Sequence, residues 1–476
     1  MRDLRKKILL ESGKTVSRKA RSRPESARGS PVGSPAQSRA SSRAASRYAS
    51  EEEDISDSEY EESVDSSVIN SDDGEDAAAT WTDRLQDRIA ELLDRKRSSA
   101  KGRETTLIAY AHLIRHHYAA EQIENHFREL IPALLRSIRG GANYEETVAA
   151  LKALTLTILS TQSESVYDQV WSNLKAVCQN SEEESVKVEA IEAMSIATMC
   201  GGGSAEAAED LLDFLIEIIE SDGHSVEAPD NGPVVSGALT AWGFVASHLD
   251  DLQDQSEQAL EAFTEQLDST DVAVQIAAGA NIALVFEAAR EHEEDEEDGT
   301  EGAAAGWNLQ YDQHRLVQRM TALTRESSKA ISKRDRRQLH ASFASVLTSL
   351  ERGKGPGYST ARRQASNPHT GGSRTEAGDF GDAGFREYGY RERLRVHNIS
   401  MVVDTWSLLA RVGTLRSVLG GGLAAHYLEG NPAVRDLLGS AHVELVSAPR
   451  RGPADDFTTP SKKARGPKAA RSMAVF

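Results

Sequence analysis

The stretch "VAALKAL", residues 148–154, decides the fold. It sets small residues three apart in an apolar helical pattern, and related stretches recur as "IAYAHLI" (108–114), "VEAIEAM" (188–194), "SGALTAW" (236–242) and "IAAGANI" (276–282). Their register residues, Ala109, Ala150, Ala190, Ala238 and Ala277, lie 41, 40, 48 and 39 apart. Between them fall partner helices: "HFRELIPALLRSI" (126–138), "YDQVWSNLKAVC" (167–178), "AEDLLDFLIEII" (208–219) and "SEQALEAFTEQL" (256–267). Two helices in about 40 residues is the armadillo/HEAT period, and alanines on the inner helix let stacked units approach closely. The expected fold class is all-α: an armadillo/HEAT-like helical-repeat solenoid with a disordered N-terminal leader and a small helical C-terminal module. The longer 48-residue spacing coincides with "SDGHSVEAPDNG" (221–232), whose Gly, Pro and Asn predict a loop.

Composition agrees with this pattern. Hydrophobic residues make up 39% of the 476-residue chain and aromatics only 5%, with Ala, Leu, Glu, Ser and Arg prominent, so almost no strand is expected. The net charge of −19 hides a segregation. Residues 1–49 are strongly basic, 51–76 are acidic without a single Lys or Arg, and the tail from Pro449 is basic again, so a polyanion would meet the ends and local clusters rather than the acidic body. Residues 1–79 bury too little apolar surface to offset chain entropy and read as a disordered leader. Ser30 and Ser34 precede prolines, and Ser56 and Ser58 are flanked by acids, so all four are candidate phosphorylation sites.

The remaining boundaries follow from composition: a repeat domain over 80–352, a flexible Gly-rich insertion over 353–394, a C-terminal helical module over 395–446 and a basic disordered tail over 447–476. The acidic run "EHEEDEEDGTE" (291–301) reads as a solvated loop, after which the helical pattern resumes at Leu309 and runs to Leu350. Ile399, Val402, Val403, Trp406, Leu409 and Ala410 mark one face of a further amphipathic helix. "GGG" (420–422) breaks it, and "GNPAVRDLLG" (430–439) reads as a short helix with Asn431 as cap, Pro432 at the first position and Gly439 as stop. This block is expected to close the end of the solenoid. Cys178 and Cys200 lie in apolar helical stretches and read as buried thiols of a reducing compartment. The N-terminal apolar run is too short for a signal-peptide core, and no stretch approaches the roughly 18 apolar residues of a membrane span, so no membrane partner is expected.

No catalytic constellation stands out, and no cofactor or small-molecule substrate is implied. "HLIRH" spaces His112 and His116 four apart, but Leu113 stands where a zinc-protease helix needs Glu, so a metal role is not expected. The glycine runs at 201–203 and 420–422 lack the Lys-Ser/Thr of a phosphate loop. Paired helices without such chemistry make a binding surface. "SKRDRRQLHASFASVLTSLE" (332–351) supplies a candidate contact: Ser332 and Asp335 form a capping-box variant, Leu339, Phe343, Val346, Leu347 and Leu350 form the buried stripe, and Lys333, Arg334, Arg336 and Arg337 crowd the first turn. The helix dipole disfavours cations there, so the cluster is expected to meet negative charge, whether the chain's own carboxylates or a phosphate-rich partner. The tail adds Lys462, Lys463, Arg465, Lys468 and Arg471 as a nuclear-import signal, an RNA-binding arm or a solubilising end. Neither cluster carries aromatics, so any nucleic-acid contact would be to phosphates.

These residues resemble the interferon-related developmental regulators. The basic start leading into Phe-x-x-Val-Leu in "SKRDRRQLHASFASVLTSLE" is similar to the family's hallmark, and "VVDTWSLLARVGTLRSVLGGGLAAHYLEGNPAVRDLLGSAHV" (402–443) to its C-terminal module. The resemblance covers roughly 81–352 and 395–445, with the leader and the Gly-rich insertion as in fungal-type members. It implies a non-enzymatic, armadillo-like regulatory scaffold of nucleus and cytoplasm. Such a scaffold acts as a transcriptional co-regulator whose groove holds corepressor or transcription-factor segments. Alternatively, it binds non-translating ribosomes through basic clusters on rRNA. The short, Gly/Pro-interrupted tail departs from the longer basic helix that the family inserts into a ribosomal channel.

Overall fold

A computed structural model describes residues 80–94, 98–161, 163–249, 251–297, 309, 311–325, 332–357, 392–396, 399–439 and 441–445. The leader with its four candidate phosphorylation sites, most of the Gly-rich insertion and the basic tail lie outside the described residues.

Helices pair in the order that the spacing predicts. After α1 (Trp81–Leu93), α2 (Ala100–His116) and the short connector α3 (Ala120–Glu124), α4 (Phe127–Gly140) pairs with α5 (Tyr144–Thr161) and α6 (Tyr167–Asn180) with α7 (Glu184–Cys200). Next, α8 (Ala205–Glu220) pairs with α9 (Gly232–Ala246), α10 (Gln253–Gln266) with α11 (Val272–Glu297), and α12 (Gln313–Arg325) with α13 (Lys333–Arg352). The inner helices α2, α5, α7, α9, α11 and α13 each pack on the next, while α1, α4, α6, α8, α10 and α12 lie on their outer side. Starts are set by side-chain caps: the hydroxyls of Thr80, Ser99, Ser204 and Ser332 and the amide oxygen of Asn231 each accept a backbone N–H of the first turn. The 221–231 segment is a loop with one 3-10 turn at His224–Val226, and Gly232 already begins α9.

Polar ties fix the stacking. Arg103 on α2 grips Glu146 on α5 through two bonds of 2.7 and 2.8 Å, and Tyr110 and Thr157 join their hydroxyls at 2.8 Å between the same helices. Lys187, 1% exposed, donates to the carbonyls of Cys178, Gln179 and Val226, closing the C-terminal end of α6 onto the 3-10 turn. Burial pushes the thiols of Cys178 and half-buried Cys200 up to about 12, which keeps both protonated at neutral pH.

Three expectations need correction. The acidic run is not a loop from its start: the backbone of α11 stays helical through Glu297. The same helix carries Val272–Arg290, 19 residues with mean hydropathy 1.7, so a span-length apolar stretch does exist. Its apolarity follows from packing, because α9, α10, α13 and a C-terminal helix all lie against it. Third, the helix expected from Ile399 begins as strand, part of the little strand seen among the described residues: β1 (Glu392–Val396), β2 (Ile399–Val403) and β3 (Val443–Leu445) form an antiparallel sheet in the order β1-β2-β3, with Val396 opposite Ile399 and Ile399 opposite Leu445. Ile399, Met401 and Val403 are buried alternately with Ser400 and Val402, a period of two that the spacing of Ile399, Val402 and Val403 hides. The helix expected from Ile399 starts instead at α14 (Trp406–Leu419), where Thr405 Oγ1 accepts the Leu408 N–H at 3.1 Å.

Candidate functional site

The C-terminal module does not close the end of the array. Its α14 lies on the inner layer against α2, α5, α9 and α11, while α15 (Leu423–Glu429) packs on α2 and α16 (Pro432–Leu438) on α5. Inner helices explain this placement. Along α5, every residue from Ala149 to Ser160 except Lys152 is buried, and α9 is buried over Ala241–Ala246, so these helices offer little polar surface for an open groove. Leu408, Val412, Leu415 and Leu419 of α14 supply the apolar cover.

Polar contacts anchor the module along its length. Glu287 of α11, 8% exposed, accepts the backbone N–H groups of Trp406 at 2.9 Å and Ser407 at 3.0 Å, placing a carboxylate at the N-terminus of α14. Trp406 Nε1 donates to Ser349 Oγ on α13 at 3.0 Å. Arg411 donates to the carbonyl and, at 3.2 Å, to the hydroxyl of Ser247. At the other end His426, fully buried, holds the Ile114 carbonyl at 2.9 Å, and Asn431 donates to Leu159 O at 3.1 Å and reaches His426 Nδ1 at 2.9 Å. Asn431 Oδ1 also caps α16, and Gly439 ends it. Gly422 packs so tightly that a Cβ there would overlap the Arg115 carbonyl. His426 and Asn431 are thus docking residues, which no spacing rule exposes, whereas their neighbours Leu428 and Arg435 are exposed.

Burial shapes the histidines of this contact. His248, at the end of α9, sits beside Arg411; desolvation and that guanidinium push its pKa down to about 4. Its Nδ1 faces the Phe244 carbonyl at 2.8 Å, while buried Nε2 has no hydrogen-bond partner among the described residues. Burial likewise lowers His426.

The sequence-predicted basic turn is where the capping pattern puts it. Ser332 Oγ accepts the Asp335 N–H at 3.1 Å and starts α13; Lys333, Arg334 and Arg337 are exposed and Arg336 is half-buried. Leu339, Phe343, Val346 and Leu350 form the buried stripe and Leu347 is half-buried. At about 1.5 Å per residue the basic turn stands about 24 Å along α13 from Ser349, where the module docks. The turn and the module contact therefore sit at opposite ends of one helix. Lys462, Lys463, Arg465, Lys468 and Arg471 lie outside the described residues. His112 and His116 approach ring to ring at 4.6 Å, and among the described residues no three His, Cys, Asp or Glu side chains group to hold a metal ion. A cleft of about 300 Å³ lies between α7, α9 and α14.

The family profile of the interferon-related developmental regulators matches residues 44–351, almost two thirds of the chain. The chain belongs to this family. Among interferon-related developmental regulator relatives, the pig protein named interferon-related developmental regulator 1 is 23% identical over 358 residues, covering 71% of this chain and 68% of its own length. An uncharacterised protein of Schizosaccharomyces pombe is 27% identical over 386 residues, covering 79% of this chain and 78% of its own. As an interferon-related developmental regulator the chain is a regulatory protein of that family. The matched region ends inside α13, so the basic turn falls within it and the docked module follows it.

Proposed function

We propose that this protein is a non-enzymatic regulatory scaffold that binds a phosphate-rich partner, the rRNA of non-translating ribosomes, through the first turn of α13. The observation that carries this reading is the exposure of Lys333, Arg334 and Arg337 on a single capped turn, with Arg336 half-buried beside them. Cations at a helix N-terminus cost a few tenths of a kcal/mol each, a cost that phosphate oxygens offset by accepting from Arg forks and helix-end N–H groups. A second reading is a transcriptional co-regulator of the nucleus that holds corepressor or transcription-factor segments. The docked module argues against a long groove for such segments, and the cleft between α7, α9 and α14 is what favours this reading.

Co-sedimentation with ribosomes on sucrose gradients, at low and moderate salt, separates the two. The wild type travels with subunits or monosomes at low salt and leaves them as salt rises, because each neutralised phosphate contributes about one power of salt concentration to binding. A variant with Arg334, Arg336 and Arg337 changed to Glu stays at the top, and a chain truncated after Pro449 reports the share of Lys462, Lys463, Arg465, Lys468 and Arg471. Wild type remaining at the top of every gradient would overturn the ribosomal reading and leave the nuclear adaptor.

A further inference from the structure

The cleft between α7, α9 and α14 has a lining unlike the rest of the inner layer. Its walls carry two carboxylates, Glu189 and Glu192, and a row of hydroxyls that includes Ser195, Thr240, Thr414 and Ser417, over a floor that includes Val188 and Ala241. No Lys or Arg lines it. Two cations stand behind the wall: Lys152 of α5 holds Glu189 at 3.5 Å and, with Arg115 of α2, also acts on Glu192. Thr414, 3% exposed, is among the residues that line the cleft, and its buried hydroxyl has no hydrogen-bond partner among the described residues. A buried hydroxyl without a partner costs about 1–3 kcal/mol, a cost that a donor entering the cleft would offset. Desolvation raises the Glu192 carboxyl above its usual range despite the Ser417 hydroxyl bonded to it, a burden that an incoming positive charge relieves.

Size and polarity narrow the ligand. About 300 Å³ is the lower limit of small-molecule sites and suits one unbranched side chain. Carboxylates at the wall exclude an anion; hydroxyl and carboxylate oxygens suit a compact three-donor cation; the apolar floor suits a methylene stem. We propose that this cleft binds a primary ammonium group on an unbranched alkyl stem, with Glu192 as counter-charge and Thr414 Oγ1 as an acceptor. The group can come from a lysine side chain of a partner peptide or from a free alkylamine.

Saturation-transfer NMR on the full chain tests this with three probes: n-butylammonium, the end-blocked tripeptide Gly-Lys-Gly, and neutral n-butanol. The butylammonium signal is present, n-butanol gives none, and Glu192→Gln, which keeps a hydrogen-bonding partner for Ser417, loses at least tenfold in affinity. A stronger response from the tripeptide assigns the site to lysine side chains; a response from butylammonium alone assigns it to free amines. Gly237→Ala is the second variant. A Cβ there meets only Val188 methyls, at 3.6 Å and beyond, so the methyl narrows the cleft without disturbing the fold. It weakens butylammonium several-fold while the melting temperature holds. Equal transfer to n-butanol, or unchanged affinity in Glu192→Gln, overturns the proposal.

Discussion

Glu287→Ala lowers the unfolding free energy by about 3 kcal/mol and loosens the C-terminal module, because it removes a carboxylate that accepts two backbone N–H groups. Hydrogen bonds to charged acceptors contribute about 1.5–3 kcal/mol each, and the N-terminus of α14 adds a favourable field. The loss is less than the sum of the two bonds, since Thr405 still caps the helix at Leu408 N. Urea denaturation measures the free energy, and amide hydrogen exchange over 406–438 shows whether the loss is local to the module. Glu287→Gln, which keeps acceptor oxygen without charge, falls between. A change in Glu287→Ala below about 0.5 kcal/mol, the range of ordinary surface substitutions, would mean that the module is not held there.

Acid acts on the same contact. His248 is held at about 4 against an ordinary value of 6.5, so between those values the unfolded chain takes up a proton that the folded chain refuses. Its contribution to stability is therefore present above about 6.5 and lost as pH falls toward 4. Between pH 7 and pH 5 this removes about 2 kcal/mol. Geometry gives the cause: protonation would place a hydrogen on buried Nε2, which has no acceptor among the described residues, close to the Arg411 guanidinium. His426 adds in the same direction. With Nε2 donating to Ile114 O, its Nδ1 accepts from Asn431, and a proton on Nδ1 would face that donor. Denaturation curves at pH 7 and pH 5 check this, and His248→Gln flattens the difference. An equal loss in His248→Gln would place the acid sensitivity elsewhere.

Helix pairs were legible because alanines recur where inner helices approach, and caps were legible because Ser332, Asn431 and Pro432 act locally. The sheet was not, since Ile399, Val402 and Val403 satisfy a helical spacing as well as a strand, and pairing with 392–396 and 443–445 is a long-range property. Docking of the module on the inner layer left one sequence signal. The 149–160 stretch of α5 has Lys152 as its single charge, whereas an inner helix facing an open groove would carry a polar stripe. Glu287 could not be picked out among the chain's many carboxylates, because its role depends on a helix start 119 residues later.

The chain's own C-terminal module fills much of the inner layer, which narrows it to the small cleft between α7, α9 and α14. The most direct test places a single specific protease site between Gly357 and Glu392, cuts the purified protein once, and passes it over a sizing column without denaturant. The two pieces co-elute as one species and separate only in urea, because α14 to α16 are held by buried apolar and polar contacts along α2, α5, α9 and α11. Separation of the pieces in buffer would contradict the account and return the inner layer to partner segments.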